Sequence, residues 1–590
     1  MNTLILLAAA AGSPALEPVV VTATRTEVAI QDVLASVDVV AGDHLVRQPA
    51  LDLGDALRFV PGVEVARLGG PGQQTSLFLR GTESNHVLVL VDGLRMNPGT
   101  IGTAAIQNFA PEFVERVEVV KGPRSTLYGS DAIGGVINIV TRRGAAQADG
   151  VQAGFGDYDT RSASFSAGIG DERAEASIAA SWLDSTGFPT RTGDDTDRGY
   201  ENTSFSAFAR TGAGAVDLSL SAWHASGTSE YSDFFVTPVD QDFENSALAL
   251  TADFAPSEAW SSKFTVAHAI DDLQQNQSAD FLDTNRNTID WQNDFALSQA
   301  QTVTAGVLWQ DEEAEAESFG APYAADTATS QFYVQDQANF GPHRLLLGAA
   351  YTDHETFGGH PTWNAEYGLA FGEGSLVTFA SGTAFRAPDA TDLYGFGGNP
   401  GLDPEESQSV EVGWRQAIGE RQSFSLTAFR NDIDELIEFV VTDPVTFDGE
   451  NRNVARARIE GVEAAWHYEG ERWEARAAAT LQDPRDRTTD ARLLRRAREN
   501  YTAAVARRFG DGHEIALDLL YAGERRDFGF PAQTVLPAYW LANLSAKVAL
   551  SERFTLVARM ENLFDEDYEL ASGFNTVGRS LFGALRYEFR

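Results

Sequence analysis

Cysteine is absent from this chain of 590 residues, so it offers neither a disulfide framework nor a thiolate metal site. Basic residues are outnumbered: 44 Lys and Arg stand against 85 Asp and Glu, a formal net charge of -41. Such a chain repels nucleic acid, itself a polyanion, and suits divalent cations held by carboxylates. Long apolar runs are missing too. Beyond the first residues none approaches the roughly 20 that a spanning helix needs, and the mean hydropathy is -0.22, which excludes a bundle of membrane helices. A transmembrane barrel is not excluded, because its strands alternate lipid-facing and lumen-facing residues. A Gly-x-Ser-x-Gly nucleophile elbow and a His-Glu-x-x-His zinc pair are both lacking, and no enzymatic activity is expected.

What the chain does contain is aromatic residues and period-two alternation. Its 36 Phe, 15 Tyr and 10 Trp match the girdles a barrel places at two membrane interfaces. From about residue 144, short alternating segments recur between polar or glycine-rich turns. Phe424, Leu426 and Ala428 fall on one face, with Ser423, Ser425 and Thr427 on the other; Leu218, Leu220 and Ala222 oppose Asp217, Ser219 and Ser221. The apolar face would meet outer-membrane lipid and the polar face a wet lumen. Segments of about 20 residues, turn included, suit a barrel of roughly 22 strands, the size that houses a plugged lumen. Leu581, Gly583, Leu585, Tyr587 and Phe589 read as the closing strand.

The N-terminal part has another texture. Residues 1–15 read as a signal peptide with a short apolar core and Ser13-Pro14-Ala15 at the cleavage site, although no Lys or Arg precedes the core. Residues 18–23 form a short extended segment, which the polar Thr24-Arg25-Thr26-Glu27 leaves unpaired. Further on, Val114, Val117, Val119 and Val120 favour a strand, and Lys121-Gly122-Pro123 breaks it. A tight turn with Gly129, Gly134 and Gly135 then leads to the buried strand Val136-Ile-Asn-Ile-Val140. Leu88, Leu90 and neighbouring valines form another buried strand, with Asp92-Gly93 as a hairpin turn. Charges at Arg80, Arg116 and Arg124 in such a domain should be paired, with barrel-wall carboxylates as partners.

Residues 116–141, Arg116-Val-Glu-Val-Val-Lys-Gly-Pro-Arg-Ser-Thr-Leu-Tyr-Gly-Ser-Asp-Ala-Ile-Gly-Gly-Val-Ile-Asn-Ile-Val-Thr141, are similar nearly residue for residue to the end of the plug of TonB-dependent outer-membrane receptors. Asp55-Ala-Leu-Arg-Phe-Val-Pro-Gly-Val63, Leu77-Phe-Leu-Arg-Gly81 and residues 86–97 resemble further plug motifs. The resemblance implies an all-β membrane protein: a roughly 22-stranded antiparallel transmembrane β-barrel with an N-terminal α+β plug domain in its lumen, in the outer membrane of a Gram-negative bacterium. It divides the chain into a signal peptide (1–15), a TonB box with linker (16–27), the plug (28–143) and the barrel (144–590). Pro18, Val19, Val20, Val21, Thr22 and Ala23 resemble the TonB box, read by β-strand addition to TonB.

Gly382-Thr-Ala-Phe-Arg-Ala-Pro-Asp-Ala-Thr-Asp-Leu-Tyr-Gly-Phe-Gly-Gly-Asn-Pro-Gly-Leu-Asp-Pro-Glu-Glu-Ser407 resembles the cobalamin-transporting branch, with Leu-Tyr-Gly-Phe and Gly-Asn-Pro as the telling parts. The implied function is TonB-dependent uptake of cobalamin or a related corrinoid; a ferric-siderophore or other metal-chelate receptor is the alternative. Fold alone does not choose between them. The resemblance implies ligand contacts at Gln74, Ser76, Glu83, Ile101, Gly102 and Arg525. It also implies calcium in two neighbouring hairpin loops, on Asp195 and Asp197 of the first and Asp233 and Asp240 of the next. Clustered carboxylates are the oxygen donors that calcium takes.

Overall fold

The structure, a computed structural model, describes residues 19–47, 52–144, 149–171, 173–233, 235–443, 448–510, 512–529 and 532–589. The signal-peptide segment and Pro18 lie outside the described residues.

In chain order the N-terminal part comprises β1 (Val19–Val20), β2 (Val28–Ala29), β3 (Val37–Ala41), α1 (Gly42–Arg47), α2 (Leu53–Leu57), β4 (Val63–Arg67), β5 (Thr75–Leu79), β6 (Val87–Val91), β7 (Leu94–Arg95), β8 (Val114–Lys121), α3 (Ser125–Tyr128) and β9 (Gly135–Thr141). Five of them make one sheet in the order β3-β8-β9-β6-β7. The almost wholly apolar β9 runs down its centre, antiparallel to β8 and parallel to β6, so both its faces and both its edges are covered. Asp92 (φ 53°) and Gly93 (φ 86°) turn β6 into β7, the two positive-φ positions of a type I′ hairpin. The link from β8 to β9 is not the expected tight turn. It carries α3, whose C-terminus Gly129 caps at φ 78°, while Gly134 and Gly135 sit where Thr82 and the Val120 carbonyl leave no room for a Cβ.

The remaining strands form a closed antiparallel barrel of 22, from Gly150–Gly156 round to Ser580–Glu588, which pair with each other across the seam, Val151 opposite Tyr587. Alternation sets the two faces. Leu218, Leu220 and Leu426 point outward and are exposed, whereas Thr427 points inward and is buried. Outward aromatics such as Trp182, Trp291, Trp363, Trp414 and Trp466 populate the lipid face. Tight turns at 214–215, 258–259, 299–300 and 341–342 close one rim; the longer loops 387–404, 487–498, 523–538 and 562–579 crown the other. The plug fills the lumen. Phe109 stacks on the wall's Trp223 at 4.9 Å between ring centroids, and plug and wall apolar residues share one core. No described helix is long and apolar enough to cross a membrane.

Candidate functional site

The plug is fastened to the wall by buried ion pairs. Arg80, at φ 53° after β5, reaches Glu411 and, through Nη2, Glu463 at 2.9 Å. Its guanidinium also lies 4.5 Å from the Phe429 ring centre. Burial opposes the charge on Arg80, but Glu411 and Glu463 hold its pKa above the ordinary value. Lys121 joins Glu463 (3.2 Å) and Asp38 (2.8 Å). Arg124 meets Glu366 at 2.9 Å. Two of the three expected arginine pairings with the wall are thus present; Arg116 instead pairs inside the plug, with Glu115 and Glu118.

Three plug apices rise toward the long-loop rim. The first, between β4 and β5, carries Gln74, exposed, with Ser76 just inside β5. Its Gln73 donates to Ser229 Oγ (3.2 Å) and to the Glu230 carbonyl (2.7 Å). The second carries Glu83, paired at 2.6 Å with Arg496 of loop 487–498. The third carries Ile101 and Gly102. Gly102 has φ 63°, and a Cβ there would come within 3.0 Å of Asp389 Oδ2, so only glycine suits this approach to loop 387–404. That loop is hydrogen-bonded to the apex: Ala390 N–H donates to the Gly99 carbonyl and Thr391 N–H to Thr100, each at 2.9 Å. Arg525 lies in a different loop. It is buried against the Tyr539 ring (5.0 Å) and donates to the Glu569 carbonyl (2.7 Å). The sequence-predicted contacts therefore share one end of the molecule but reach different loops.

Sequence reasoning missed a cavity of about 280 Å³ between the third apex and the wall. Arg95, Asp131, Arg286, Glu312, His354 and Arg386 line it. Arg95 pairs with Asp131 and Arg286 with Glu312. Arg386 holds Glu405, Asp389 and Asp392. Burial, then the neighbouring Asp392, raises the pKa of Asp389 well above the carboxylate range. The only sequence signal was Arg386-Ala-Pro-Asp389, which reads equally well as a helix start.

At the other end, the segment thought to be unpaired is not. β1 pairs with β2, Val20 opposite Val28. The buried Glu118 accepts from the N–H groups of Val21 (3.1 Å) and Thr22 (2.9 Å) and from the Thr22 hydroxyl (2.6 Å). Tyr128 O–H donates to the Thr22 carbonyl at 3.0 Å. Arg25 follows, bonded to Asp290 at 2.6 Å and flanked by the rings of Tyr128 and Tyr333.

The predicted calcium donors are not gathered. Asp195 and Asp197 are exposed in loop 189–197. Asp233 accepts from the backbone N–H groups of Phe235 (2.8 Å) and Thr237 (2.7 Å). Asp240 lies in the strand Pro238–Ser257 rather than in a loop, and is engaged by Asn276 and Gln277. Among the described residues no three His, Asp or Glu side chains converge to hold a metal ion.

A 22-stranded barrel closed around a globular plug, with an N-terminal segment stowed beneath, defines a gated outer-membrane receptor. Residues 180–563 match the family model for the TonB dependent receptor-like beta-barrel, and residues 29–136 match the TonB-dependent Receptor Plug Domain. The chain belongs to the TonB-dependent receptors, a family of outer-membrane transporters and not of enzymes. It is similar to the vitamin B12 transporter BtuB of Vibrio vulnificus (strain YJ016), with 33% identity over 599 residues covering 97% of this chain and 95% of that protein. Among solved structures it resembles the siderophore receptor PirA from Acinetobacter baumannii, with TM-score 0.79 and 17% identity over 94% of this chain and 98% of that one. It also resembles a mutant of the ferric enterobactin receptor PfeA from Pseudomonas aeruginosa, with TM-score 0.82 and 17% identity over 97% and 100%. At those identities the structural likeness speaks to fold alone. The short-turn rim is periplasmic and the long-loop rim extracellular, as in outer-membrane barrels generally.

Proposed function

We propose that the protein takes up cobalamin, or a related corrinoid, across the outer membrane with energy drawn through TonB. The observation that carries this reading is the 33% identity to a vitamin B12 transporter over 97% of the chain. Cargo would meet Gln74, Ser76, Glu83, Ile101, Gly102 and Arg525 from outside. These residues offer amide, hydroxyl, carboxylate and guanidinium groups, which suit a ligand rich in amide side arms. Residues 18–23 would then be drawn from the plug by TonB as an added strand. An order-to-disorder change of a terminal segment is a known type of switch.

Calcium belongs to this proposal as a condition of binding. The loop bearing Asp195 and Asp197 is already tied to a strand end, where Ser232 donates to Asp194, and a rearrangement would have to bring Asp195 and Asp197 toward Asp233 and Asp240. Calorimetry with cyanocobalamin on detergent-purified protein, with and without a calcium chelator, tests both parts. Binding that weakens with chelator supports both. Binding indifferent to chelator discards calcium, and absence of binding discards the corrinoid in favour of a ferric siderophore or other metal chelate.

A further inference from the structure

The cavity under the third apex continues downward as a line of buried side-chain oxygens without hydrogen-bond partners on one side of the lumen. The strands Ala321–Phe340, His343–His354 and Gly358–Phe371 set their inward residues in rows. Gln331 lies opposite Thr352, Ala350 opposite Thr362, and Gly348 between Gln335 and Asn364. Gln331 and Thr352 line the cavity. Among the described residues Gln331 Oε1, Thr352 Oγ1, Thr362 Oγ1, Gln335 Oε1, Asn364 Oδ1 and, facing them from α3, Thr126 Oγ1 are buried with no hydrogen-bond partner. These residues are at most 7% exposed. So many orphaned acceptors and hydroxyls in one line mark a path that water can wet.

The floor of this line is the N-terminal segment. Gln335 donates to the Thr24 carbonyl (3.0 Å) and Gln337 to the Thr26 hydroxyl (3.1 Å). Arg344 donates to the Gln31 carbonyl (3.0 Å) and pairs with Asp32 (2.8 Å). Leu34 packs where Gly368 leaves room. These contacts belong to the continuation of β1, the stretch that a pull from the periplasm would move first.

We infer that cargo leaves the cavity along this seam, between α3 and the wall of residues 321–371, and that withdrawal of residues 19–34 opens its lower end. The inference rests on TonB-driven transport and not on the cargo being cobalamin. A route needs a polar wall, a space at its entrance and a removable floor, and this side of the lumen has all three.

The chain has no native cysteine, so single substitutions report directly. Thr362→Cys and Asn364→Cys are probed with a membrane-impermeant thiol reagent in TonB-energised and TonB-deficient cells given cyanocobalamin. Ala179→Cys and Ser545→Cys, buried on strands across the lumen, are the controls. Labelling of the seam positions alone, and only with energy, is expected. Equal labelling of all four positions, or uptake with the seam protected, overturns the route. Seam labelling without cyanocobalamin uptake keeps the route and removes the cobalamin reading. A lock provides the second measurement. A Cβ built on Gly348 lies 3.1 Å from Thr126 Cγ2, so Thr126→Cys with Gly348→Cys is within bridging reach once the Asn364 amide turns aside. The oxidised pair should bind cargo, lose uptake, and recover it with reductant; full uptake by the oxidised pair overturns the inference.

Discussion

Single charged residues carry much of the plug's attachment. Arg80 is buried between two carboxylates, and removing one partner of such a set strands the others. Arg80→Ala is expected to destabilise plug docking by about 3–5 kcal/mol, read as a lower urea midpoint for the plug. Arg80→Lys should recover only part of this, because an ammonium lacks the planar fork that meets two carboxylates. Glu64 of β4 makes a pH prediction. Burial pushes its carboxyl up to about 7, against the Ala497 N–H and the charges of Arg525 and Arg496. Between its ordinary 4.5 and about 7, the folded state holds a proton that the unfolded state has released. Stability from this group is therefore full below that window and lost as pH rises through it. Glu64→Gln should flatten that slope in the plug's unfolding midpoint measured from pH 4 to 8, and an unchanged slope would assign the dependence elsewhere.

At the scale of elements, the N-terminal segment is the instructive case. Its valines were legible as extended chain, but nothing local announced that β2 would pair with it or that Glu118 would accept three hydrogen bonds from it. Bonds to a charged acceptor contribute about 1.5–3 kcal/mol each, so Glu118→Ala is expected to free the segment without cargo. A spin label at Val21→Cys should then change from immobile to mobile; a label that stays immobile would place the hold on Arg25 instead. The link between β8 and β9 failed for the opposite reason. Its glycines were read as one tight turn, whereas a four-residue helix intervenes, too short to show a hydrophobic period. Its packing on strands 343–354 and 358–371 decides it.

For the whole molecule, coupling and binding should separate. The extracellular apices and residues 19–23 stand at opposite ends of the plug. Deleting 18–23 is expected to leave cyanocobalamin binding to whole cells intact and to abolish uptake. Persisting uptake would sink the energised mechanism, and loss of binding as well would show that the segment holds the plug's shape. Barrel and plug together bury Arg80, Lys121 and Glu463 in one cluster, so neither part satisfies its charges alone.

Sequence by itself determined the barrel, because alternation of period two and the closing strand are local patterns with local physical causes, whereas the plug was legible through the resemblance of residues 116–141 to a known family. Sequence also marked Arg80 and Arg124 as charges in need of partners. Only the tertiary structure decided who those partners are, since Glu411, Glu463 and Glu366 lie hundreds of residues away and many carboxylates compete. The same holds for Arg116, which turned to its own neighbours, and for Asp195, Asp197, Asp233 and Asp240, whose proximity in sequence did not become convergence in space. The cavity and the wet seam below it were invisible in the chain, because an orphaned hydroxyl is defined by what fails to face it, and that is settled only when plug and wall are brought together.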